Sequence, residues 1–436
     1  MRKFFLVATI LAAAAGGVAA AQGVTGTLPP AAPSPRASEP PWSGMSGASG
    51  DPRMSASAIR AAAADFHRCI AGLWPLAARR GVTRATFERY TAALAPDLRI
   101  MDLLDNQPEF TKSVWGYLDI LITNERIEKG RALLAKYRDS FDRIERIYGI
   151  DRHIIAAIWG VESDYGSEGG NRPVLRSTAT LSCIGRRQNY FRGEFIATLE
   201  ILEHRDISPA RLVGSWAGAF GPTQFMPTAF IRYAVDFDRD GRRDVVDSVP
   251  DLIASTANNL KKDGWIGGQT WGYEVVVPAT LDFRLADRAR VMSIRDWQRL
   301  GLARPGGKPF PRPEEPAFLL VPAGVQGPGF LMLHNFRVLM RYNPAEAYAL
   351  AIGHLADRLA GAAPIAQGWP RYERVLSRGE RLELQQLLAR RGYDVGEPDG
   401  RLGARTRAAI RDFQARNGRV PDGFASMVIL SLLRSR

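Results

Sequence analysis

The sequence predicts a mainly helical α+β protein: a large helical region with a small β element, then a separate small three-helix domain. Three observations predict it. Through most of 55–360, apolar residues recur at three- and four-residue spacing, the mark of helices with one inward face. From about 278 to 335 that pattern gives way to Pro, Gly and β-formers, and FLLVPAGVQGPGFLML reads as a hairpin. After a Gly-, Pro- and Ala-containing stretch at 361–376, expected to be a linker, residues 377–436 carry three compact helical patterns of their own.

The 436 residues allow two to four domains with a sizeable core. Residues 1–21 place Arg2-Lys3 before an apolar run and an Ala-x-Ala ending, the pattern of a cleaved secretory signal, with cleavage expected between Ala21 and Gln22. A retained membrane helix is the alternative, but the run falls short of the ~20 residues a span needs. No cysteine lies near the cleavage site to carry lipid, so no stable membrane anchor is expected. The chain is therefore expected to be exported, periplasmic and soluble. Its formal charge of +13 becomes +11 once Arg2 and Lys3 leave with the signal. Outside the cytoplasm such a chain meets polyanions, among them wall polymers with carboxylate-bearing peptides. The basic residues are scattered and no nucleic-acid motif appears, which argues against a nucleic-acid partner. Cys69 and Cys183 are the only cysteines. Their even count permits one bridge in an oxidising compartment, and two separate buried thiols fit the sequence equally.

Residues 22–54 are rich in Pro, Ala, Ser and Gly and lack apolar periodicity, so a disordered tether is expected there. Phe66, Ile70, Leu73 and Ala77 then mark a helix face, and Gly81-Val82-Thr83 marks a turn and a new cap; two short helices are expected. Phe110, Trp115 and Tyr117 are aromatics that either line a sugar groove or pack in the core. Helical periodicity resumes through Ile127, Leu133, Leu134 and Phe141.

The most informative stretch follows, IERIYGIDRHIIAAIWGVESDYG, from Ile144 to Gly166. Asp151 is positioned to cap a helix whose inward face is Ile154, Ile155, Ile158 and Val161. Glu162 comes directly after that stripe. A carboxyl group among Trp159, Ile158 and Tyr165, at the negative end of a helix, is disfavoured in its charged form and prepared to donate a proton. A solvent-facing glutamate at a helix end fits this segment alone just as well.

Downstream, GSWAGAFGPTQFMPTAF holds glycines at 214, 218 and 221 that permit close backbone approach, with Pro222 and Pro227 fixing turns. Gln224 sits between the turns; its amide either meets a sugar acetamido or hydroxyl group or bonds loop backbone. Next, DFDRDGRRDVVD offers Asp236, Asp238 and Asp240 at alternating positions before Gly241, the pattern of a calcium loop, with Asp251 close enough to complete the shell. Arg242, Arg243 and an Asp rather than Glu at position twelve fit equally an Asx-rich turn paired with arginine. The region closes with RYNPAEAYALAIGHLADRL, where Tyr342 and Asn343 precede a helix bearing Tyr348. In the last domain, Leu384, Leu387 and Leu388 mark one helix, Ile410 and Phe413 the second, and Met427, Leu430 and Leu433 the third.

Taken together, GVESDYG, GSWAGAFGPTQFMPTAF, DFDRDGRRDVVDSVPDLIASTANNL and RYNPAEAYALAIGHLA resemble, in order, the motifs of the lytic murein transglycosylase B family. LQQLLARRGY, DGRLGARTRAAIRDFQ and the final PDG with its helix resemble the peptidoglycan-binding type 1 module. The first resemblance implies a goose-lysozyme-like fold over about 60 to 360 and peptidoglycan glycan strands as substrate. It implies Glu162 as sole catalytic acid/base. Ser215, Gln224, Asn343, Tyr348, Tyr117 and Tyr342 follow as the substrate-binding set. No cofactor is required; a structural calcium at the Asp-rich loop occurs in some family members. Partner proteins of wall synthesis or remodelling fit such an enzyme. The implied product is a 1,6-anhydromuramoyl end. A hydrolytic muramidase and a non-catalytic wall-bound scaffold are the competing readings, and the presence of Glu162 in its motif weighs against the scaffold.

Overall fold

The computed structural model describes residues 41–47, 50–104 and 112–435. The expected signal, most of the tether and Phe110 lie outside them. Within them the large region is helical, as its periodicity requires. At its centre the helix Arg152–Ser163 is buried from Ile154 to Ser163. It packs along Glu346–Leu359 and Asn124–Lys136. Gly130 and Gly160 make the second contact possible: a Cβ on either would lie within 2.8 Å of the Tyr165 ring or hydroxyl, which is wedged between the two helices.

The β element is a four-stranded antiparallel sheet in the order Gly272–Val275, Gly329–Met332, Pro316–Leu320, Met292–Ser293. The expected hairpin is its middle pair, with Phe318 opposite Met332 and Leu320 opposite Phe330. Both faces are covered. Phe318, Leu320, Phe330 and Met332 join the main core, while Leu319 and Leu331 face a second cluster around Phe283 and Trp297. Double burial explains why these strands read as unbroken apolar runs.

The last domain has the three helices Arg378–Arg390, Ala404–Arg416 and Met427–Arg434 around Leu384, Leu388, Ile410, Phe413, Leu430 and Leu433. Ser377 and Glu380 form a capping box at its entry.

Three local expectations need correction. Where two short helices were expected there are three, Phe66–Gly72, Trp74–Arg79 and Arg84–Thr91. Pro75 lacks the N–H to continue the first and starts the second. The tether expected over 22–54 does not reach 54: Met54 is buried, Trp42 packs on the core, and Ser43 bonds Asp102. The 361–376 segment is no free linker either. Trp369 lies against Phe330 and Trp115, with centroids 6.3 and 6.0 Å away, and the Glu274 carboxylate accepts from the amides of Ala366 and Gln367. A few large apolar side chains override a Pro- and Gly-rich composition. Cys69 and Cys183 form a disulfide, Cα–Cα 6.0 Å, tying Phe66–Gly72 to Val174–Cys183.

Candidate active site

The Asp151 carboxylate caps the central helix, accepting from the His153 amide at 2.7 Å. At the other end the chain turns sharply: Asp164, Tyr165 and Gly166 all have positive φ, 47, 59 and 93°. Glu162 is carried into this turn with only 6% of its surface exposed. The Tyr348 hydroxyl donates to Glu162 Oε1 at 2.6 Å. Burial, then the neighbouring Glu162 charge, pushes the Tyr348 phenol well above its ordinary range, so it stays a donor.

Tyr342 stacks on Tyr348, 6.5 Å between centroids and nearly parallel, and donates to the Thr223 carbonyl at 2.5 Å. Ser163 Oγ donates to the Pro222 carbonyl at 2.6 Å. Three sequence motifs thus meet at one carboxylate: the helix end, the Pro222-Thr223-Gln224 turn and the Tyr342–Tyr348 segment.

The neighbouring carboxylates are otherwise engaged or exposed. Asp164 pairs with Lys129 at 2.7 Å and Arg126 at 3.1 Å. Although burial works against it, the bonds from Lys129, Ser167 and Arg126 hold Asp164 below the usual carboxylate range, so it stays ionised. Glu168 lies exposed on the loop.

The remaining expected residues divide. Tyr117 is buried in Val114–Leu121, a helix that packs against Glu346–Leu359, which bears Tyr348. Asn343 ends the helix His334–Tyr342; its Oδ1 accepts from the Ala345 amide at 3.0 Å. Ser215 closes its own tight turn, its Oγ accepting from the Ala219 amide at 3.1 Å. Gln224, at φ 52°, donates its side-chain amide to the carbonyls of Gly221 and Gly169, 2.9 and 3.1 Å. Its nitrogen therefore ties the loop beside Glu162 to the following turn. Sequence reasoning missed Arg126 and Lys129, a basic pair at i,i+3 on Asn124–Lys136 that reads as ordinary surface charge.

In the Asp-rich loop, Asp236, Asp238 and Asp251 each bring a carboxylate oxygen within 4.8 Å of the others. Asp251 is pushed up to about 6, first by burial, with the Asp238 charge adding to the rise against three backbone bonds. Such crowding of negative charge fits a cation. Asp240 does not belong to the group: it pairs with Arg242 at 3.1 Å, and Asp247 binds Arg211. Of the expected four, three lie together, and Arg242 takes up Asp240.

A helical domain with a small β element, and a carboxyl buried at a helix end and held by a tyrosine hydroxyl, is the arrangement of a lysozyme-like enzyme acting on glycan. Residues 65–357 match the family described as Transglycosylase SLT domain, and residues 377–433 match the putative peptidoglycan binding domain. The chain belongs to the transglycosylase SLT family, with a C-terminal peptidoglycan-binding-type domain. It is 31% identical over 271 residues to membrane-bound lytic murein transglycosylase B of Escherichia coli K12, covering 60% of this chain and 74% of that protein. SltB3 from Pseudomonas aeruginosa, solved with NAG-anhNAM-pentapeptide, superposes with a TM-score of 0.82 at 44% identity, over 85% of this chain and 99% of that one. Escherichia coli Slt35 in complex with calcium is more distant, with a TM-score of 0.57 at 28% identity, over 72% and 95%.

Proposed function

We propose that this chain is a periplasmic lytic transglycosylase. It cleaves the β-1,4 bond between N-acetylmuramic acid and N-acetylglucosamine in peptidoglycan and leaves 1,6-anhydromuramoyl ends, with Glu162 as the single acid/base. The observation that carries the reading is the buried Glu162–Tyr348 contact at 2.6 Å, beside an Asp164 already committed to Lys129 and Arg126. A relative solved with an anhydro-sugar peptide supports the product class.

Protonated Glu162 donates to the bridging oxygen as the C1–O bond breaks. The substrate's own acetamido group stabilises the oxocarbenium-like centre. Ionised Glu162, held by the Tyr348 hydroxyl, then takes the proton of the muramic C6 hydroxyl, whose oxygen closes on C1. The proton count returns to its start and no water is consumed. Two-carboxylate glycosidases need a second free carboxyl at a set distance, and the commitment of Asp164 argues against that scheme. Tyr117, Tyr342, Asn343, Ser215 and Gln224, with Tyr348, are the residues assigned to binding the glycan. Asp236, Asp238 and Asp251 would hold a calcium ion that stiffens their loop and takes no part in the chemistry. The C-terminal domain binds the glycan wall. No helix among the described residues is long and apolar enough to cross a membrane, in keeping with a chain not anchored by one of them.

Sacculi digested with the protein should release muropeptides one water lighter than hydrolysis products, as read by mass spectrometry. Glu162→Gln should release none while still binding sacculi. Reducing-end products from the unsubstituted protein would instead establish a muramidase.

A further inference from the structure

The helix that delivers Tyr348 to Glu162 begins weakly. Its N-cap, Ala345, has no side chain to satisfy the first-turn amides. Its first residue, Glu346, has a side chain only 15% exposed and is gripped from two sides. Arg288 of the large domain approaches at 3.4 Å. The closer partner comes from the other domain: Arg407 Nη1, on Ala404–Arg416, donates to Glu346 Oε2 at 2.9 Å. Burial works against the Glu346 charge, yet the Arg407 and Arg288 cations outweigh it and hold the carboxyl below its ordinary range. Further contacts also seat the C-terminal domain. Arg411 meets Asp287 at 3.0 Å, and the Val325 amide donates to Asp422 at 3.0 Å. Of these, only the Arg407 contact lands on the turn that carries Tyr348.

We propose that Arg407 is a positioning residue for catalysis: by clamping Glu346 it fixes the first turn of Glu346–Leu359, and with it the Tyr348 hydroxyl on Glu162. The C-terminal domain then sets turnover as well as wall affinity. This rests on Glu162 being the acid/base. Without Arg407 the partly buried Glu346 carboxylate keeps only the longer Arg288 contact, so the turn relaxes rather than staying in place. Small displacements of a catalytic contact cost rate steeply, up to about a hundredfold for ~1 Å. Arg288 retains part of the grip, so a smaller loss follows.

The test is steady-state cleavage of a short soluble murein tetrasaccharide by the full chain, with kcat and KM measured separately. Arg407→Met should lower kcat by about three- to tenfold with KM little changed, and Arg407→Lys should restore most of it. Glu346→Gln reaches the same contact from the catalytic side, so the claim stays testable if Arg407→Met unfolds the small domain. Its kcat should fall alike, and Arg407→Met added to it should cause little further loss. An unchanged kcat in both single variants, or losses confined to KM, overturns the proposal. Glu162→Gln in the same assay separates it from its premise. Retained turnover there sinks the acid/base reading and the positioning role together; a dead Glu162→Gln beside an unaffected Glu346→Gln sinks the positioning role alone.

Discussion

Tyr348 is the residue on which the site's geometry turns. It is wholly buried, held parallel to Tyr342, and spends its one O–H on Glu162. Tyr348→Phe keeps the ring and the stack and removes only that donor. A hydrogen bond to a charged group is worth about 1.5–3 kcal/mol, so kcat should fall roughly ten- to a hundredfold, with the thermal midpoint moving little. Unchanged kcat would remove Tyr348 from the mechanism. Ending an apolar stripe bracketed by Asp151 and by Ser163-Asp164-Tyr165-Gly166 made Glu162 a candidate, with a solvent-facing glutamate equally open until the downstream motifs and their resemblance singled it out. Tyr348 was not legible from spacing, since no periodicity links two residues so far apart; only the family resemblance pointed to it. Gln224 shows the opposite limit. The sequence showed that its amide needs partners, but not whether they are sugar or backbone.

At the scale of elements, the pairing of Arg152–Ser163 with Glu346–Leu359 does more than meet at Glu162. Toward its far end the second helix carries two half-buried titratable side chains three residues apart, His354 and Asp357. Burial, then the Arg358 charge, lowers His354 to about 4. Burial raises Asp357 to about 7, with the Asp151 charge adding to the rise. Their linkages oppose each other. Asp357 favours its protonated form when folded, so its contribution is whole below 3.8 and fades as pH rises toward about 7. His354 favours its neutral form, so its contribution is whole above 6.5 and fades as pH falls toward about 4. Asp357→Asn should therefore make the melting temperature climb more steeply from pH 4 to 6.5, and His354→Gln should make it climb less or fall. Parallel profiles for both variants would show that neither group is shifted. The helices themselves were readable from apolar spacing. The Tyr165 wedge was not, because Gly130 and Gly160 reveal their purpose only when the two helices are side by side.

At the scale of the whole molecule, the sequence made domain number plain and domain attachment obscure. Pro- and Gly-rich stretches looked free, yet Trp42, Met54 and Trp369 pin them to the core, because one large apolar side chain outweighs several weak formers. The same holds for the cysteines, where counting left bridge and thiols equally open. The bridge joins residues 114 positions apart, enclosing the segments that bear Tyr117, Lys129 and Glu162. In the chain-entropy account, closing a loop of that size removes about 4–5 kcal/mol of freedom from the unfolded chain. The contacts that hold Glu162 run through Tyr348, Thr223 and Pro222, and neither cysteine takes part in them. Stability and chemistry should therefore separate on reduction. The Cys69→Ala, Cys183→Ala protein should unfold at clearly lower urea, by roughly 4 kcal/mol, while kcat on a short glycan stays within about twofold under conditions where it remains folded. The C-terminal domain has its own core of Leu384, Ile410, Phe413 and Leu430 and lies outside the loop, so its hydrogen-exchange protection should survive reduction. Equal urea midpoints for oxidised and cysteine-free protein would show that the bridge does not govern stability. A collapse of kcat in folded, cysteine-free protein would show instead that the bridge shapes the site.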